Sequence, residues 1–201
     1  PYLNNWGIEN YEVKNYNKLN EIAELLNKEK IIAVCNGFGE VGPRALGNRS
    51  ILAKADSAKL AQKVSEVHKK REWYRPIAPV MLEKNAKYFT GLDKIHHLSK
   101  FMLLDFKIDQ HTRKEIEGVV HVDRTSRIQA IFNRSDNPFL YDLLKLLDEK
   151  YKIKALINTS FNKKGEPIVH TEDDALHLAK EMQLDGVVIN GNLYKLNPKR
   201  I

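Results

Sequence analysis

An α/β domain, with α+β character, built on a twisted mixed sheet with flanking helices is the fold class predicted from three observations. Amphipathic helical spacing recurs along the chain, as at Leu19, Ile22, Ala23 and Leu26. Short apolar runs sit between the helices, at Ile31–Cys35, Ile153–Ile157 and Val187–Ile189. The two kinds of segment mix without the steady alternation of a barrel.

In order, Asn17 to Lys30 predicts a helix leading into a strand at Ile31–Cys35. A glycine-rich stretch follows from Gly37, and Ile51-Leu52-Ala53 leads out of it. Asp56-Ser57 offers a helix cap, with Leu60, Val64 and Val67 as the apolar side of a helix ending near Lys69–Glu72. Pro76 and Pro79 argue against a regular central strand, so Ile77–Leu82 is expected as an extended segment at an edge or bulge. Gly91 to Lys100 reads as loop and Phe101–Ile108 as a strand. His111–Gly118 is polar and expected to be mobile. Val119–Asp123 and Arg127–Phe132 are expected as extended segments around a turn at Arg124-Thr125-Ser126.

Asn137-Pro138 starts a helix with Leu140, Leu143, Leu144 and Leu147 as its buried stripe. Thr171 with Asp174 caps another, whose inner face is Ala175, Leu178, Ala179 and Met182. Asn190-Gly191 between apolar runs is a hairpin signal. Residues 1–16 are expected as a lead-in from an upstream domain, and 17–201 as one domain.

The chain has 201 residues, and no apolar run approaches the roughly 20 that a membrane helix needs. The single cysteine excludes an internal disulfide and suggests a reducing, cytoplasmic setting. Its place in an apolar run makes Cys35 a buried small hydrophobe rather than a nucleophile. A net charge of +7 favours anionic partners without choosing among them.

Four polar stretches interrupt the apolar segments, at 37–50, 69–79, 121–127 and 158–167. They supply Arg44 and Arg49; Lys69, Lys70, Arg71 and Arg75; His121, Asp123, Arg124 and Arg127; and Asn158, Ser160, Asn162 and Gly165. Glycines let backbone N–H groups approach a ligand, and arginine forks suit phosphate and carboxylate oxygens. If the stretches converge, they form a cationic pocket able to stabilise charge in phosphoryl or acyl transfer. Each stretch also has a plainer reading as turn chemistry or surface pairing; for His121 and Asp123 a turn-stabilising hydrogen bond is preferred over a metal or acid–base pair.

Together GEVGPRALGNRSILA, KKREWYRPIAPVML, HVDRTSRIQ and LINTSFNKKGEPIV resemble the C-terminal domain of the nodulation and antibiotic O-carbamoyltransferase family. That resemblance implies a YrdC-like fold, similar to the Sua5 threonylcarbamoyl-AMP synthases, around a basic cavity. It implies that carbamoyl phosphate and ATP bind, with Mg²⁺ on the nucleotide, and that carbamoyl adenylate forms. A metal-dependent, Kae1-like N-terminal domain would then pass the carbamoyl group to an acceptor hydroxyl. The resemblance matches Lys70, Arg71 and Arg75 to the family's basic nucleotide-binding element and Ser160 and Asn162 to its Ser-x-Asn element. With the polar stretches converging, Arg44, Arg49, Lys70, Arg71, Arg75, Arg127, Ser160 and Asn162 are expected to line one ligand site, with Arg71, Arg75, Arg127 and Ser160 catalytic. No protein metal ligand is assigned in this domain. A membrane partner is not expected, an oligomer is open, and an RNA-binding module without catalysis is the alternative reading.

Overall fold

The computed structural model describes residues 9–12, 16–70, 72 and 77–196, with side chains from Lys18 onward except that of Val67. Helices α1 (Tyr16–Asn27) and α4 (Pro138–Tyr151) cover one face of a mixed sheet. Helices α2 (Ala58–Gln62), α3 (Glu83–Thr90) and α5 (Glu172–Glu181) cover the other. The strands are β1 (Glu9–Glu12), β2 (Ile32–Cys35), β3 (Arg49–Lys54), β4 (Ala78–Leu82), β7 (Gln129–Ile131), β8 (Ala155–Ser160), β9 (Gly186–Ile189) and β10 (Asn192–Lys195). Their order across the sheet is β1-β10-β9-β2-β3-β8-β4-β7. The β2–β9 and β4–β7 pairs are parallel and the rest antiparallel. A separate pair joins β5 (Phe106–Lys107) to β6 (Thr125–Ser126).

The sheet is buried on both faces along β2, β4 and β9, which read as near-continuous apolar runs rather than alternating ones. Along β2, Ile32 and Val34 meet α1 and α4, while Ala33 and Cys35 meet the α2–α5 side. The stripes read from the sequence on α1 and α4 are buried, including Ile22, Leu26, Leu140, Leu143 and Leu147 at zero exposure. Each such side chain contributes about 1.5–3 kcal/mol.

Local signals hold where side chains act on their own backbone. Asn137 Oδ1 caps α4 through Leu140 N–H at 3.0 Å. Thr171 and Asp174 form the reciprocal capping box of α5. Asn190 and Gly191 have φ of 46° and 80°, the left-handed pair a tight hairpin needs between β9 and β10.

Five expectations change. First, β4 is internal, between β8 and β4's parallel neighbour β7. Pro79 is tolerated there because pairing with β7 begins only at Val80, one residue beyond it. Second, the strand expected over 101–108 shrinks to β5, preceded by a 3-10 helix at His97–Phe101, in part of the stretch read as loop. Third, helix α3 occupies residues for which no element was expected, stopped by Gly91 at φ 68°. Fourth, the stretch expected to be mobile is a 3-10 segment, Arg113–Val119, anchored by buried Ile116 and Val119. Fifth, Glu9–Glu12 adds an edge strand within the expected lead-in.

Candidate active site

The register places the described parts of the four polar stretches at one end of the sheet. Cys35, where β2 ends, pairs with Arg49, where β3 starts, so the 37–48 loop leaves from that end. Ser50 pairs with Ser160 at the last residue of β8. Ala78, opening β4, pairs with Asn158, and Val80 with Gln129, opening β7. Ile77 before β4, the segment before β7 and the loop after β8 therefore share that end.

The glycine-rich loop is held from within and from beneath. Glu40 Oε1 accepts from Leu46 N–H at 2.8 Å and Asn48 N–H at 2.7 Å. Gln129 Nε2 donates to Leu46 O at 2.8 Å, and Asn158 Nδ2 to Ala45 O at 3.1 Å. Arg49 is buried, and its guanidinium donates to the carbonyls of Asn36, Gly37, Asn48 and His170 at 2.9–3.2 Å. It ties the loop to the entry of α5, a role that the sequence pattern of a cationic loop did not distinguish from ligand binding. Arg44 lies exposed on the same loop.

Lys69 is the residue that sequence reasoning passed over in favour of Lys70. It is fully buried. Its ammonium donates to Asn162 O at 2.7 Å and Asn162 Oδ1 at 2.9 Å, and also to Ser160 O. Ser160 Oγ donates to Asn162 Oδ1 at 2.6 Å, and Asn162 Nδ2 to Glu166 O at 2.8 Å. Lys164 N–H closes the arrangement on Lys69 O at 3.2 Å. The cause is local: after α2 the chain runs as a π-helix, Lys63–His68, and Lys69 N–H bonds Val64 O five residues back. That wide turn shifts the helical register, and Lys70 follows at φ 51° with its side chain exposed. A count by ordinary α-helical spacing could not show which lysine turns inward.

Arg127 reaches the same sheet end and holds Asp105 through Nε at 3.3 Å and a terminal nitrogen at 3.2 Å. Arg71 and Arg75 lie outside the described residues. His121 and Asp123 stabilise a turn. Thr125 Oγ1 donates to Asp123 at 2.7 Å, leaving it to accept from His121 Nδ1 at 3.2 Å. Burial holds the His121 ring below its ordinary pKa, outweighing Asp105 and Asp123, which pull it up. Burial likewise raises the Cys35 thiol, against the pull of Arg49. Among the described residues no three His, Cys, Asp or Glu side chains form a group able to hold a metal ion.

A buried lysine, a serine hydroxyl and an asparagine amide are thus bound together at the sheet end from which the glycine-rich loop leaves. Residues 23–195 match the family model described as the carbamoyltransferase C-terminus. The chain belongs to the carbamoyltransferase C-terminus family. Among relatives of this carbamoyltransferase domain, nodulation protein NolO of Bradyrhizobium diazoefficiens is 35% identical over 176 residues, covering 88% of this chain and 32% of NolO. The 3'-hydroxymethylcephem-O-carbamoyltransferase of Streptomyces clavuligerus is 32% identical, covering 87% of this chain and 32% of its own. The chain thus spans about a third of the length of these curated relatives. The crystal structure of full-length HypF, in its phosphate- and nucleotide-bound form, superposes with a TM-score of 0.61 at 19% identity, over 87% of this chain and 25% of HypF. That likeness shows the YrdC-like fold of the carbamoyltransferase domain.

Proposed function

We propose that this carbamoyltransferase domain binds ATP and carbamoyl phosphate and forms carbamoyl adenylate at the sheet end where Lys69, Ser160 and Asn162 meet. The convergence of those three side chains carries the reading. HypF, crystallised with phosphate and nucleotide, supports a phosphorylated ligand on this fold.

Atom balance fixes the outline of the reaction. Water takes the phosphoryl group of carbamoyl phosphate, giving inorganic phosphate and carbamate. A carbamate oxygen then attacks the α-phosphorus of ATP, and pyrophosphate leaves. Both steps gather negative charge, so the protein's task is positioning and charge neutralisation.

Lys69 supplies a fixed cation, and Ser160 and Asn162 supply a hydroxyl and an amide whose geometry is set before any ligand arrives. Arg44, Lys70, Arg71, Arg75 and Arg127 are proposed to supply further positive charge. Arg127 must exchange Asp105 for a phosphate oxygen to do so. Arg49 acts from beneath, by holding the loop. The described residues offer no three-ligand metal cage. Mg²⁺ is proposed to enter with the nucleotide, where it would neutralise phosphate charge.

Transfer of the carbamoyl group to a hydroxyl is assigned to a Kae1-like N-terminal domain of the same protein, in the cytoplasm. The test is to incubate the chain with ATP, Mg²⁺ and carbamoyl phosphate. Pyrophosphate and carbamoyl-AMP are expected, and both should fall in Ser160→Ala. Pyrophosphate release no higher than with ATP alone would sink the reading.

A further inference from the structure

A second basic cleft lies on the β5–β6 sheet and the neighbouring 3-10 segment. Its volume is about 360 Å³, and its walls are Thr90, Lys107, Asp109, Gln110, His111, Arg113 and Arg124, with Ile108. Three permanent cations therefore face one carboxylate. Asp109 Oδ1 already accepts from His111 N–H at 2.7 Å. Among the described residues, Lys107, Arg113 and Arg124 form no ion pair and no side-chain hydrogen bond, although elsewhere lysines and arginines pair readily with acids, as Lys100 does with Asp136 and Arg134 with Asp142.

Arg124 is also held in an unusual backbone conformation. Its φ is 68°, in the left-handed region that favours glycine or asparagine. Its N–H donates to His121 O at 2.9 Å and its carbonyl accepts from Ile108 N–H at 2.9 Å, so the turn is fixed against β5. A long cationic side chain at a position strained for it, beside two more cations, has no account in the packing. Backbone strain of this kind collects at ligand sites.

We propose that this cleft is a second phosphate-recognition site, taking the phosphate group of a small phosphorylated compound. Lys107, Arg113 and Arg124 supply the charge, and the Gln110 amide, which uses one N–H toward His111, supplies a neutral donor. The size of the cleft fits a phosphate with a small attached group. No Phe, Tyr or Trp side chain lines it, so it lacks the broad stacking platform that single-stranded nucleic acid uses. The walls of the cleft include none of Lys69, Ser160 and Asn162, on which the adenylation reading rests, although Arg124 shares the 121–127 stretch with Arg127.

The experiment titrates the chain with inorganic phosphate, methyl phosphate and a single-stranded RNA oligonucleotide, followed by calorimetry and by ³¹P line width. Arg124→Asn removes the charge while suiting the backbone, and Lys107→Met removes a second charge from an exposed strand position. Each variant is expected to weaken phosphate and methyl phosphate binding at least tenfold with no loss of melting temperature. Ser160→Ala is expected to leave a phosphate-binding event that Arg124→Asn removes. The proposal is overturned if both cleft variants bind phosphate as the parent does. It is equally overturned if all phosphate binding vanishes in Ser160→Ala, or if RNA binds this cleft more tightly than methyl phosphate.

Discussion

Lys69 Nζ lies 2.9 Å from Asn162 Oδ1, although 93 residues of chain separate them. The contact joins the end of a π-helix to the loop after a central strand, and it sets where the charge of the candidate site resides. Lys69→Met keeps the volume but leaves the carbonyls of Ser160 and Asn162 short of a donor. A stability loss of about 1–3 kcal/mol in urea unfolding is expected. Pyrophosphate release should fall by about 10²–10³-fold, the range for losing one preorganised donor. The neighbouring Lys70→Met is exposed and should move stability by no more than about 0.5 kcal/mol. Equal stability effects at the two positions would refute the inward assignment of Lys69.

Two glycines of one loop should respond differently to the same change. A Cβ on Gly47 would stand 2.4 Å from Leu140 Cδ1 and 2.7 Å from Asn137 Nδ2, at a φ of +121°. Gly47→Ala therefore combines backbone strain with a clash against the capped start of α4, and a loss of about 2–4 kcal/mol is expected. Gly42 has φ +129° with nothing within 4 Å. Gly42→Ala meets strain alone, at about 1–3 kcal/mol. The comparison is read from denaturant midpoints, and a larger loss at Gly42 would contradict the described packing of the loop on α4.

These contrasts show what a sequence can and cannot carry. Caps were legible at Asn137 and Thr171 because each acts within its own helix turn. The Asn190-Gly191 hairpin was legible for the same reason. The apolar stripes of α1 and α4 were legible because one face of each helix is buried. The internal place of β4 was not, since nothing local to Pro79 reveals that β7 begins pairing one residue later. The inward lysine was hidden because a π-helical turn breaks the spacing from which its direction would be counted. Arg49 and Arg44 look alike in one loop. Only the fold reveals that carbonyls at Asn36-Gly37, Asn48 and His170 surround Arg49.

His68 makes stability depend on pH. The ring is buried and its Nδ1 meets Met182 O at 2.7 Å, which fixes the neutral tautomer with the proton on Nδ1. Burial depresses its pKa below the ordinary value of about 6.5, only partly opposed by that carbonyl. A base with a lowered folded pKa leaves the unfolded chain with more protons, so stability rises with pH through this window. It is fully present above about pH 6.5 and is lost as pH falls through the folded value. Urea midpoints between pH 7.5 and pH 5 should therefore decline, and His68→Gln should flatten the slope. His121, lowered by burial as well, acts in the same direction. An unchanged slope in His68→Gln would remove His68 as the cause.

Glu40 is the acid that gives the glycine-rich loop one conformation. Its Oε1 collects the N–H groups of Leu46 and Asn48, with that of Arg49 more distant at 3.4 Å. Hydrogen bonds to a charged acceptor are stronger than neutral ones, contributing about 1.5–3 kcal/mol. Glu40→Gln keeps an oxygen in place and removes the charge, so a loss of about 1 kcal/mol is expected. Glu40→Ala removes the acceptor and leaves partly buried N–H groups without a partner, which should cost about 2–3 kcal/mol. If the loop is a preorganised part of the adenylating site, Glu40→Gln should lower pyrophosphate release while raising the nucleotide concentration needed for half-maximal rate. Full activity in Glu40→Ala would show that loop conformation is irrelevant to the chemistry, and the site would then rest on Lys69, Ser160 and Asn162 alone.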